Sequence, residues 1–205
     1  MGRYLGPSCR KCRALKQKLF LKGEKCQTKC ILDSRKGQPG QHTKATKKIT
    51  EYAKRMYEKQ KARFYSGLTE EQFRRYFARA QHLPGLTGTN LLMLLEMRLD
   101  NVVRIMGLAS SMKFARQIIR QGHVLLNDRV FKIPAYKVKV GDKIYLDEKM
   151  RKNLSIVRWR EHFLNPPSWV SVDRENFGGS ILSIPTREEI SCPVDETLIV
   201  ELYSK

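Results

Sequence analysis

Acidic side chains are scarce in this 205-residue sequence: 20 Asp and Glu stand against 40 Lys and Arg, a formal net charge of +20. Such an excess brings a compact chain only self-repulsion unless a polyanion is its partner, so a self-contained neutral globule is excluded. Long apolar runs are missing too. None reaches the roughly 18 residues of a membrane-spanning helix, and the N-terminus has no apolar core like that of a secretory signal. A membrane surface is thereby the weaker candidate polyanion, and a soluble, intracellular chain is expected. Histidines are few and scattered, at His42, His82, His123 and His162, with no carboxylate or nucleophile placed to serve them. No Walker-type phosphate loop, G-x-S-x-G turn or H-E-x-x-H motif is readable. Enzymatic chemistry has no foothold in this pattern.

The charge that is present is unevenly spread. Residues 1–66 carry a net +15, and residues 161–205 a net −5. A nucleic-acid surface belongs on the first three-quarters, and the tail faces something else. The length admits one or two domains with a real core.

Four of the five cysteines, Cys9, Cys12, Cys26 and Cys30, form two close pairs joined by a short loop. Paired thiolates of this kind can surround one structural Zn²⁺ tetrahedrally. Disulfides and four unrelated thiols are the competing readings. The first conflicts with the missing secretory signal, the second with the pairing. Lys11, Arg13, Lys25 and Lys29 flank the thiols, where a folded knuckle would hold them for phosphate contact. Cys192, alone before Pro193, reads as an ordinary semi-buried thiol.

Residues 31–48 are rich in Lys, Gly, Gln and Thr and are expected to order only against a partner. Lys44, Lys47 and Lys48 end this arm. A helix over 50–64 follows, with Ala53, Tyr57 and Phe64 on its apolar face and Lys54, Arg55, Lys59, Lys61 and Arg63 covering the rest. So few acids compensate these cations that RNA contact is preferred to a solvated face. Thr69 and Gln72 read as a capping box. Phe73, Tyr76, Phe77 and Ala80 then recur at core spacing, leaving Arg74, Arg75 and Arg79 off that face.

The organising stretch is 98–146. Leu91, Leu92, Leu95, Leu99, Val102, Val103 and Met106 step by three and four, which predicts one helix ending at Gly107. Ser110 or Ser111 caps the next helix, Gly122 ends it, and Met112, Ala115, Ile118 and Ile119 form its apolar face. Lys113, Arg116 and Arg120 share one edge. Short strands are expected at Val124–Leu126, 130–133 and Lys143–Leu146. Two helices and a small sheet then present a cationic edge beside a loop carrying His123, Asn127 and Arg129, a platform suited to folded RNA. The alternative is a small α+β subdomain with a solvated charged face. Beyond it a helix over 148–163, strands near 169–172, 180–184 and 198–202, and a turn at Gly178-Gly179 are expected.

RLDNVV at 98–103, ARQIIRQGHVLLN at 115–127, IPAYKVKVGD at 133–142, GRYLGP near the start, PGQH at 39–42 and the ending LIVELYSK resemble the family of small-subunit ribosomal protein four, of bacterial and organellar type. The likeness runs nearly end to end. It implies an α+β chain in which a mostly helical domain (46–97, completed by the tail) holds an inserted RNA-binding module (98–160). A four-cysteine zinc knuckle and basic arm (1–45) precede it, and an acidic segment (161–205) returns to the helices. The RNA-facing set gains Arg98, Asn101, Arg104 and Lys137. The implied function is non-catalytic binding of small-subunit ribosomal RNA at a multi-helix junction, early in assembly. A neighbouring protein, small-subunit protein five, is the implied partner of the tail, with Glu188, Glu189 and Glu196 as contact candidates and decoding accuracy as the consequence. The messenger entry path is implied nearby, in a cytoplasmic or organellar ribosome. Pseudouridine synthases and some aminoacyl-tRNA synthetases carry a similar module beside a catalytic domain for which this chain has no room. A zinc-dependent DNA-binding regulator is the other alternative, and no helix-turn-helix or C2H2 finger is readable to support it.

Overall fold

The computed structural model describes residues 4–35, 37–40, 48–161 and 166–204. Lys44, Lys47, His42 and His162 lie outside the described residues. In chain order the first elements are α1 (Ser8–Leu15), α2 (Glu24–Thr28), α3 (Ile31–Ser34), α4 (Glu51–Tyr65), α5 (Glu70–Gln81), α6 (Thr87–Glu96), α7 (Leu99–Ile105) and α8 (Met112–Gln121). There follow β1 (Val124–Leu126), β2 (Arg129–Val130), β3 (Lys143–Leu146), α9 (Glu148–Arg151), α10 (Leu154–Glu161), β4 (Val170–Asp173), β5 (Gly178–Ile181) and α11 (Glu196–Tyr203). The class is α+β. No described helix is long and apolar enough to cross a membrane. The chain divides into two compact units, one of residues 1–92 with 192–205, the other of residues 93–191.

The first unit is helical because its caps and spacing make it so. Thr50 accepts the Ala53 amide at 3.2 Å and starts α4. The Thr69–Gln72 capping box forms in both directions at α5, satisfying two amides that a helix start leaves orphaned. Phe73, Phe77 and Ala80 of α5 are buried as their spacing requires. The buried edge of α4 differs from the expected one: it runs through Lys59, Ala62 and Tyr65. The expected strand at 198–202 is instead the helix α11. Asp195 caps it by accepting the Thr197 amide at 3.0 Å, and the Tyr203 ring stacks on Phe77 at 4.4 Å. The β-branched run there yields to a cap and a helical register. Part of the arm expected to wait for a partner is also ordered: α3 forms, and the Arg13 guanidinium holds the Gly37 and Gln38 carbonyls at 3.0 and 3.1 Å.

In the second unit the expected single helix breaks in two. Arg98 is extended between α6 and α7 and bridges Lys137. The Met97 carbonyl accepts from the Val138 amide, and the Leu99 and Asp100 amides donate to the Tyr136 and Pro134 carbonyls. Apolar periodicity survives this break because α6 and α7 both bury their apolar residues. α8 starts on the Ser111 side chain and ends at Gly122 in the left-handed conformation, φ +85°. The sheet is antiparallel throughout, in the order β2-β1-β3-β5-β4. Gly178 and Gly179 lie inside β5 instead of forming a turn, and a Cβ at Gly178 would collide with the Tyr145 ring. β5 pairs with β3, so 166–191 joins this unit and only 192–205 belongs with the helices of the first. Trp169, Val170 and Ile181 share one core with Val103, Ile118, Ile119 and Ile144. The helix expected over 148–163 is α9 and α10, separated where Asn153 accepts the Ser155 amide at 2.9 Å.

Candidate nucleic-acid interface

On the second unit Lys113 and Arg120 of α8 are exposed, as are Asn127, Arg129 and Lys137. His123 follows α8 directly. Its Nδ1 lies 2.8 Å from an Asp147 oxygen, while the other Asp147 oxygen accepts the Met150 amide and caps α9. One carboxylate thus ties the imidazole to a helix start. The Asn127 side chain is spent inside the protein. It donates to Asp142 at 2.9 Å and accepts the Lys143 amide at 2.9 Å, and Asp142 also accepts the Lys139 amide. The β1–β2 turn is fixed by that network, with Asn127 and Asp128 both left-handed at φ +49° and +64°.

Arg98 and Asn101 are buried, 5% and 2% exposed. Arg98 grips Asp100 with two nitrogens, at 3.0 and 2.9 Å, and Arg116 of α8 reaches the same carboxylate at 2.6 Å. Asp100 has no exposed surface. Two guanidiniums around one buried carboxylate lock α7 to α8. The Asn101 oxygen accepts from Arg104 at 3.1 and 2.8 Å, and its nitrogen donates to the Glu96 carbonyl. Burial pushes the Glu96 carboxyl above the ordinary range, against the opposing pull of Arg104, Asn101 and Ser191. The residues expected to face RNA therefore separate into an exposed group (Lys113, Arg120, Arg129, Lys137) and a buried or half-buried group (Arg98, Asn101, Arg104, Arg116). Lys132, Lys139 and Lys143, which the sequence pattern did not single out, are exposed on this unit as well.

On the first unit Lys48, Arg74 and Arg75 are exposed. Arg75 pairs with Glu71, Lys54 with Glu51 at 2.7 Å, Arg55 with Glu201 at 2.7 Å and Lys61 with Glu58 at 2.5 Å. Lys59 is 7% exposed and lies 2.7 Å from Glu70, which Arg63 approaches at 3.3 Å and the Tyr203 hydroxyl at 3.2 Å. Burial acts to raise the Glu70 carboxyl, but Lys59, Tyr203 and Arg63 together hold it below its ordinary value. Burial and the Glu70 charge push the Tyr203 phenol far up.

Of the four paired cysteines, Cys12 and Cys26 are buried and none is in a disulfide. Cys12 takes the Leu19 amide and Cys26 the Lys22 amide, the latter at 3.3 Å. Burial raises both thiols, and the other thiols raise them further: Cys9, Cys26 and Cys30 act on Cys12, and Cys9 and Cys30 on Cys26. Among the described residues no three such groups are gathered in ligating geometry.

The three tail acids are dispersed. Glu188 is exposed. Glu189 is occupied by Ser168 and by the Thr186 amide and hydroxyl, which lower its carboxyl. Both belong to the second unit, and Glu196 to the first.

Residues 3–96 match the family described as Ribosomal protein S4/S9 N-terminal domain, and residues 97–144 match the S4 domain. Proteins called small ribosomal subunit protein uS4 from Trichlorobacter lovleyi and Acetivibrio thermocellus are each 49% identical, and one from Endomicrobium trichonymphae 47%, in every case over the whole of both chains. The chain belongs to the uS4 family. For a uS4 protein the S4 match is instructive in its extent. It covers α7, α8, β1, β2 and the start of β3, whereas β4 and β5, which complete the sheet, fall beyond it.

Proposed function

We propose that this uS4 protein is a structural constituent of the small ribosomal subunit that binds its ribosomal RNA directly and without catalysis. The exposed cations of the S4 module carry the reading: Lys113 and Arg120 on one edge of α8, and Arg129 and Lys137 on the same module. Fixed cations on a rigid module suit the phosphates of folded RNA. Full-length protein should prefer transcribed small-subunit RNA over duplex DNA at equal salt. Replacing Lys113 or Arg120 with Ala should weaken binding and flatten the dependence of log K on log salt by about 0.7–0.9 per lost phosphate contact. Unchanged affinity and slope in both variants would make that edge solvated surface.

The family likeness and the charge pattern together support a finer reading. The protein joins early at a multi-helix junction and nucleates the subunit body, near the messenger entry path. Its acidic segment meets a basic neighbour, small-subunit protein five, and that contact bears on decoding accuracy.

The donor type is that of a structural zinc site. Cys9, Cys12, Cys26 and Cys30 are free thiols, and Cys12 and Cys26 already accept backbone amides. These four would hold one Zn²⁺, which supplies a structural cross-link between α1 and the α2–α3 segment.

A further inference from the structure

The first unit carries an open pocket of about 530 Å³, within the volume range of small-ligand sites, 300–1,000 Å³. Its walls include Tyr4, Arg10, Lys11, Arg63, Phe64 and Glu70. The Lys11 ammonium lies 3.6 Å from the Tyr4 ring centroid and 4.0 Å from that of Phe64, and the Arg63 guanidinium covers Phe64 at 4.7 Å. Tyr4 is nevertheless 44% exposed. Its ring is brought back toward the chain by the glycine of Gly6-Pro7: a Cβ at Gly6 would stand 2.7 Å from the ring. Among the described residues the wall holds one acid, Glu70, and it is shared between Lys59 and Arg63.

Two aromatic faces, three cations and one neutralised acid form the chemistry of a stacking pocket. We propose that this pocket receives one unstacked nucleobase of the bound ribosomal RNA, against Tyr4 and Phe64. Arg10, Lys11 and Arg63 then meet its phosphates. The inference rests on the RNA reading above and adds a site to it. A duplex keeps its base faces within the stack, so only a splayed nucleotide offers a π face here. An acidic peptide could match the cations but would leave the two aromatic faces unused. Lys11, which covers the rings in the free protein, exchanges an aromatic face for a phosphate as the base enters. Arg10 and Lys11 sit between Cys9 and Cys12 on α1, so whatever orders that helix also orders the wall.

The test uses the full chain with transcribed small-subunit RNA. Irradiation at short ultraviolet wavelength should cross-link Tyr4 or Phe64 to a single unpaired nucleotide. Tyr4→Leu should lower affinity roughly tenfold, in the range for loss of one stacked base, with the salt slope unchanged because no charge is removed. Binding should be recovered by Tyr4→Phe, and Gly6→Ala should act like Tyr4→Leu by displacing the ring. If Tyr4→Leu and Gly6→Ala bind as wild type while Lys113→Ala is weakened, the pocket is overturned and the RNA reading stands. Cross-links from Tyr4 to a protein of the assembled subunit would also overturn the pocket. A wild-type chain without preference for ribosomal RNA over duplex DNA would defeat both.

Discussion

Asp100 shows how far one residue can determine a surface it never reaches. Its carboxylate is fully buried and is held by Arg98 and Arg116. Removing one member of a buried ionic cluster leaves uncompensated charge and costs about 3–5 kcal/mol. Asp100→Ala should therefore lower the denaturant midpoint strongly, and RNA affinity should fall with the folded fraction. Arg116→Ala should also destabilise, in contrast to Arg120→Ala, whose side chain is exposed and should leave the midpoint unchanged. Chemical unfolding monitored by circular dichroism separates the two. Asp128 is a smaller case. It holds φ +64°, where a Cβ is disfavoured and glycine is the usual hairpin residue. Asp128→Gly should stabilise by roughly 0.5–1 kcal/mol, less the entropy that glycine adds to the unfolded chain.

Among the elements, the cysteine-bearing segment and α11 make separate predictions. If zinc joins α1 to α2 and α3, native mass spectrometry should find one Zn²⁺ per chain, and chelation should expose 4–35 to protease. Apo protein from zinc-replete cells, with four freely alkylated thiols, would remove the metal from the account. For α11 the anchor is Glu70, which holds Tyr203 and Lys59. A carboxyl depressed in the folded state contributes stability above its unfolded pKa and loses it as pH falls through the folded value. Acidification below the ordinary glutamate range should thus loosen α11 first, and Glu70→Gln should remove that pH dependence at the cost of lower stability at neutral pH. Hydrogen exchange at α11 amides reads both. Elements with local signals were legible in the sequence: the Thr69–Gln72 box, the Ser111 cap and Gly122 end of α8, and the strands β1 and β3, whereas the strand expected at 130–133 is only Arg129–Val130. What the sequence concealed depends on distant partners. The break at Arg98 requires residues 134–138 as its pairing edge, and α11 required a cap at Asp195 to outweigh a β-branched run. Lys59 and Arg116 were expected to face RNA because their acids, Glu70 and Asp100, lie 11 and 16 residues away in the sequence.

Across the whole molecule the charge is graded from a net +15 in residues 1–66 to −5 in residues 161–205. The acidic end is poorly suited to lie on RNA, and charge complementarity with a basic protein would set on-rate and register. Glu188 is the cleaner probe, since Glu189 is occupied by Ser168 and Thr186. Glu188→Lys should leave affinity for isolated ribosomal RNA unchanged or slightly raised, weaken capture of purified small-subunit protein five and raise misreading in a translation assay. Loss of RNA affinity with normal capture would reverse the assignment of the two faces.

The first unit is interrupted, and synthesis must respect the interruption. α11 packs on α4 and stacks Tyr203 on Phe77, yet the whole of 93–191 is translated between them. At about 5–20 residues per second, α4 and α5 wait on the order of ten seconds for their last partner. Most of the inserted unit's core lies within 97–156 and can gather while the chain is still attached to the ribosome that is making it, Trp169, Val170 and Ile181 joining at release. Its cations are then in place before the first unit is finished, so a nascent uS4 chain can present them to RNA while α4 and α5 still lack α11.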